Sequence, residues 1–215
     1  MLCADRWQQT KNRTLTILLN KMKYLIKQAV IIPLLFFVHV FIAGFLTDGY
    51  NLIEQHASEI TLTDFDTAKT IINSGAILTG LSCIILAIGI FLNFKKFTMT
   101  SFLLVIFGIS MISNGLYPMG TIMHGFYGFG MVLMILPFIA CYELKNENIK
   151  KTFFRISLIC GFVIFVYLWS MLVGLDPTNY RGLTQRIASL FIFGWISYLA
   201  LELSKKSVAN TVYKK

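Results

Sequence analysis

The run AVIIPLLFFVHVFIAGFL, Ala29 to Leu46, decides the fold: eighteen residues, of which only His39 is polar. A bilayer hydrocarbon core of about 30 Å is crossed by roughly 20 apolar residues in helical form. The run is continuous rather than alternating, so it does not fit an outer-membrane strand, and a helix is the spanning form that satisfies its own backbone. Five further windows of this kind follow at 71–92, 101–117, 123–142, 153–173 and 183–203. Composition agrees, with 56% hydrophobic and 13% charged residues and a mean hydropathy of +0.71. The expected fold is therefore all-α, six transmembrane helices in one bundle.

The formal charge of +9 is explained by its distribution. Six basic residues, Arg6, Lys11, Arg13, Lys21, Lys23 and Lys27, precede the first segment. Lys95 and Lys96 follow the second, Lys145, Lys150, Lys151 and Arg155 surround the start of the fifth, and Lys205, Lys206, Lys214 and Lys215 end the chain. Only Lys69, Arg181 and Arg186 fall in the alternate loops. The positive-inside rule then puts both termini in the cytoplasm and the protein in a bacterial cytoplasmic (inner) membrane. Topology accounts for the positive charge, so nucleic acid is not an expected partner.

Cys3, Cys83, Cys141 and Cys160 fall at the cytoplasmic end or within helices and imply no disulfide framework. The first apolar run lacks a small-residue cleavage site and reads as a signal anchor. The chain divides into a leader, 1–26, a transmembrane domain, 27–204, and a basic tail, 205–215. Met22 is an alternative start, which would leave part of the leader outside the native protein.

The longest connection, Thr47 to Thr70, has room for a short helix. Thr63 and Asp66 make a capping-box pattern with Asp in place of Glu, which predicts that the second helix begins near Asp64. Gly75, Gly80 and Gly89, and Gly125, Gly128 and Gly130 in HGFYGFG, read as helix-packing positions. Pro33 and Pro137 are expected at kinks or helix ends. No internal repeat marks an inverted-repeat transporter.

Three polar clusters meet on the outer face. The first holds Glu54, Gln55, His56, Ser58 and Glu59. The second holds Asn114, Tyr117, Pro118 and His124, and the third Asp176, Tyr180, Arg181, Gln185 and Arg186. If the first is helical, His56 and Glu59 share a face, and with His124 they are weak metal candidates, although no H-E-x-x-H spacing supports a site. No cofactor is expected. Arg186, within the first turn or so of the last helix, must snorkel outward or find a carboxylate, for which Glu59 and Asp176 are the natural partners. Alternatively Arg181 and Arg186 receive an anionic headgroup or phosphate. No nucleophile motif or glycine-rich phosphate cradle is present.

The stretches ASEIT, NSGAILTGL, GLYPMGTIMHG and RGLTQRI, in that order, resemble the uncharacterised prokaryotic membrane proteins called domain of unknown function 998. That resemblance implies a six-helix bundle over about Lys27 to Leu203. It singles out Ser58 with Glu59, Pro118, His124, and Gly182 with Arg186. The chain departs from the pattern in having SEIT and YPMG, without a glycine after the Ser-Glu pair or an acid soon after the proline. It implies no activity.

The expected function is an outward-facing pocket for a lipid headgroup, a small polar or anionic ligand, or a membrane partner, built from Ser58, Glu59, Pro118, His124, Arg181, Gln185 and Arg186. One alternative is an intramembrane hydrolase or transferase with Glu59 and His124 as acid and base, with or without a metal. Another is a small transporter with a polar path past His39 and the serines of the second and third segments.

Overall fold

A computed structural model describes residues 23–94, 98–126, 128–145 and 149–212, and every structural statement below refers to these. Most of the leader, the alternative start at Met22, Cys3, Lys95, Lys96 and the last three residues lie outside them. The described chain is helical. The helices are α1 (Ile32–Phe45), α2 (Asp66–Asn93), α3 (Thr98–Leu116), α4 (Leu136–Leu144), α5 (Lys151–Leu172) and α6 (Arg181–Val212), with 3-10 helices at Gln28–Ile31, Ala57–Leu62 and Phe129–Met134. Helix α6 thus runs on into residues read as the basic tail.

Five helical stretches are long and apolar enough to cross a membrane: Lys23–Phe45, Asp66–Asn93, Met99–Leu116, Lys151–Leu172 and Arg181–Lys206. The expected fourth segment, Met123 to Tyr142, is not one continuous helix. Gly125 and Gly128 take left-handed φ values of +74° and +79°, with Phe126 between them at +46°. That turn cannot propagate an α-helix. Pro137 lacks the N–H that would tie it to the preceding turn, so the 3-10 stretch ends and α4 starts there, with the proline in its first turn.

The interrupted segment still runs antiparallel to α3 along its length. The Ser113 hydroxyl donates to the Met123 carbonyl, and the Ser110 hydroxyl to that of Gly125 at 2.9 Å. At the other end the Glu143 carboxylate accepts the N–H groups of Met99 and Thr100 at 3.0 and 2.9 Å. A carboxylate there satisfies donors that the first turn of α3 leaves open.

Glycine sets the closest helix pair. A Cβ on Gly80 would lie 2.5 Å from the Gly108 carbonyl oxygen, and one on Gly108 2.7 Å from that of Gly80, so α2 and α3 touch backbone to backbone. Gly75 receives the side chain of His39, and Gly89 receives Leu25 and Ile26. The packing role expected of Gly75, Gly80 and Gly89 is therefore met. Gly125 and Gly128 have no such close neighbour and serve conformation instead.

Helix α2 starts at Asp66, not Asp64, because the Thr63 hydroxyl donates to the Ile60 carbonyl at 2.8 Å and is not a cap. The elements form a ring: α1 packs on α2 and α6, α2 on α3, α3 on the interrupted segment, that segment on α5, and α5 on α6. One half of its interior is filled by apolar side chains, with Leu86, Ile90, Leu104, Leu136, Phe153, Trp195 and Ile196 all buried. The Trp195 indole donates to the Ser157 hydroxyl at 2.9 Å, the one polar demand its burial makes.

Candidate functional site

The other half of the ring is hollow and roofed by loops. The first turns of α6 hold the α1–α2 connection through six directed bonds, one of them from Arg186 to the Tyr50 hydroxyl. Leu183 N–H donates to the Ile53 carbonyl at 2.9 Å, and Arg181 Nε to that of Glu54 at 3.1 Å. Arg186 Nη1 donates to that of Gln55 at 3.0 Å, and the Gln185 Oε1 accepts the N–H of Ala57 at 2.8 Å. The fifth bond is ionic: Arg181 Nη2 lies 3.3 Å from the Glu59 carboxylate. Gly182 makes the approach possible, since a Cβ there would strike the carbonyl oxygens of Gln55 and Leu52. Gly182 with Arg186, and Arg181 with Gln185, are four residues apart and so stand on shared faces of the helix.

Arg186 is only 9% exposed and has no carboxylate. Its charge is met by dipoles: the carbonyls of Gln55 and Gly182, and the Tyr50 hydroxyl, which accepts from Nη2 at 2.6 Å. Only its Nε is left without a protein partner. Tyr50 in turn donates to the Gln55 carbonyl at 3.2 Å. Burial pushes the Tyr50 hydroxyl above its ordinary value in spite of the guanidinium, so it stays a neutral phenol.

The expected Glu59–Arg186 pair is therefore corrected: Glu59 binds Arg181 and, through Oε1, the N–H of His56 at 2.9 Å. His56 does not share a helical face with Glu59. It precedes the 3-10 helix in extended conformation, with φ −64° and ψ 148°, while Glu59 reaches back to it as half of a capping box. The His56 Nε2 lies 3.1 Å from Asp176, which also accepts from the Thr184 hydroxyl at 2.9 Å. Burial holds the imidazole below its ordinary pKa, outweighing the neighbouring Asp176 and Glu59 carboxylates.

Beneath this roof lies a cavity of about 370 Å³. Its wall includes His39, His56 and His124, all three histidines of the chain, with Ser58, Thr61, Asn73, Asn114, Tyr167, Gln185 and Ser189. No Asp, Glu, Lys or Arg is on it. Phe36, Phe107 and Phe193 make an aromatic floor, with ring centroids of Phe193 at 4.4 Å from Phe36 and 6.2 Å from Phe107. The left-handed turn at Gly125 and Gly128 forms part of the wall. Irregular backbone at membrane depth is tolerated where it borders a cavity rather than lipid.

A family model described as "Protein of unknown function (DUF998)" matches residues 30–202. The chain belongs to this family. No curated protein and no solved structure matches it. Several long apolar helices are consistent with a multi-pass membrane protein.

Of the residues singled out in the sequence of this DUF998 member, Ser58, His124 and Gln185 stand on the cavity wall and Glu59, Arg181 and Arg186 do not. Pro118 ends α3 and accepts the Thr121 hydroxyl at 2.9 Å in a turn. The proposed acid and base, Glu59 and His124, engage different partners: Glu59 those above, His124 the Tyr117 carbonyl through Nδ1 at 2.9 Å. Among the described residues no three His, Cys, Asp or Glu side chains converge to hold a metal ion. His39, Asn73 and Tyr167 were missed as site residues. Their signal is a polar group deep in an apolar helix.

Proposed function

We propose that this DUF998 member is a six-crossing protein of the bacterial cytoplasmic membrane, with both termini inside, that binds a small uncharged amphipathic molecule from the outer leaflet or outer space. The observation that carries this reading is the 370 Å³ cavity, walled by neutral polar groups over an aromatic floor. That volume falls within the range of about 300–1,000 Å³ of ligand pockets, and such pockets combine apolar lining with a few placed polar groups. The interrupted segment, lying antiparallel to α3, supports a sixth crossing, and the excess of basic residues in alternate segments supports the orientation. An anionic ligand is disfavoured because Arg181 and Arg186, its expected receivers, are occupied by the roof. The aromatic floor and the packed core below it weigh against a continuous polar path for transport.

Native mass spectrometry of protein purified from its membranes tests the reading. A neutral small molecule of stoichiometric abundance is expected on the wild type and lost from Ser189→Phe, which fills the cavity from α6. Equal occupancy of the two proteins would refute it.

A further inference from the structure

We infer that the molecule taken up in this cavity is a hydrogen-bond donor, an alcohol or phenol with an apolar body; this rests on the binding reading above and narrows its ligand class. The partners dictate where the hydrogens lie. The His39 Nδ1 is 2.6 Å from the Leu35 carbonyl and the His124 Nδ1 2.9 Å from that of Tyr117. A carbonyl has no proton to give, so in each neutral ring Nδ1 carries the hydrogen and Nε2 carries the lone pair.

The wall hydroxyls obey the same rule. Ser110 donates to the Gly125 carbonyl at 2.9 Å and Ser58 to the Met119 sulfur at 3.4 Å. Thr61 accepts from the Met119 N–H at 2.9 Å and therefore gives its own proton to the Ser58 carbonyl at 2.6 Å. Five side chains thus spend their protons inside the protein and keep acceptor capacity on the wall. The amides of Asn73 and Asn114 and the hydroxyls of Tyr167 and Ser189 carry both functions and add no preference, whereas Gln185, whose Oε1 takes the Ala57 N–H, offers a donor and is outnumbered by the five acceptors. With no charged residue on the wall, the surplus of acceptors selects a neutral donor rather than a cation.

A ligand oxygen that can only accept would leave the imidazole lone pairs unmatched, a loss that matters more out of water. The apolar body lies over Phe36, Phe107 and Phe193. Para-hexylphenol and para-hexylanisole differ only in that the second has no O–H to donate, and they are the probes. Calorimetric titration of the full chain in detergent is expected to give the phenol a Kd about three- to tenfold lower than the ether, the usual scale of one hydrogen bond. His39→Leu and His124→Leu should each shrink that ratio towards one.

Equal affinities of the wild type for phenol and ether would overturn the donor inference and leave the cavity reading standing. Binding of neither probe would overturn both. A phenol preference that survives in the two histidine variants would also overturn it, since the acceptors would then lie elsewhere. The wild-type comparison decides the question even if a variant fails to fold.

Discussion

The roof and the floor of the cavity are built on opposite principles. The roof is a web of directed bonds, among them Arg186 to three oxygens, Arg181 to Glu59 and His56 to Asp176. The floor and the core beneath it are apolar side chains packed without direction, Phe193 and Trp195 at their centre. Directed bonds fix one geometry and fail singly, whereas packing tolerates change and fails by degrees. A roof of the first kind over a floor of the second lets the loops be released while the bundle stays folded.

Arg186→Ala is the strongest way to break the contrast. It strips a buried set of acceptors and is expected to destabilise the roof by about 3 kcal/mol. Hydrogen exchange should quicken at the Ala57 and Leu183 amides while the core of α2 and α3 keeps its protection. Arg186→Lys should not restore it, because one ammonium cannot span the three oxygens.

Phe193→Ala tests the floor. Loss of ring packing is expected to cost about 2 kcal/mol, less than a sealed core site because one side already faces a cavity. Its signature is the reverse: a lower melting temperature in detergent with the roof amides unchanged.

Glu59→Gln removes the ion pair with Arg181, which is 40% exposed. Screening limits the expected loss to about 0.5 kcal/mol, measured by the same melting experiment. Were Glu59 an acid or base, this change would abolish an activity with little effect on stability.

The finest test is pH. Burial depresses the pKa of His56, so the unfolded chain binds the proton more readily than the folded one. Stability from the neutral ring is then complete above about pH 6.5, its ordinary value, and falls as pH drops towards the depressed value. Denaturation across pH 5 to 8 should show that slope, flattened in His56→Gln.

Hydropathy made the membrane class and five of the helices legible, and loop composition brought the polar clusters to one end. The break in the fourth segment was not legible, because Gly125 and Gly128 leave hydropathy high whether they pack a helix or turn left-handed. Their density in HGFYGFG was the available sign. Which arginine meets Glu59 was equally hidden: Arg181 and Arg186 differ in direction around α6, and only the path of residues 50–59 over that helix decides it. His39 looked like a solitary polar residue because periodicity gives its face on α1 but not what that face meets.

The bonds that close the roof join residues far apart in the chain: Gln55 to Arg186 across 131 positions and Tyr50 to Arg186 across 136. Synthesis proceeds from the N-terminus, so the first loop is made long before its clamp exists. Until α6 inserts, Ile53, Gln55 and Ala57 have no partner from Arg181 to Arg186. Helix α6, made after every element that it clamps, is therefore the one that completes the chamber, and a chain truncated before Arg181 would leave the cavity open.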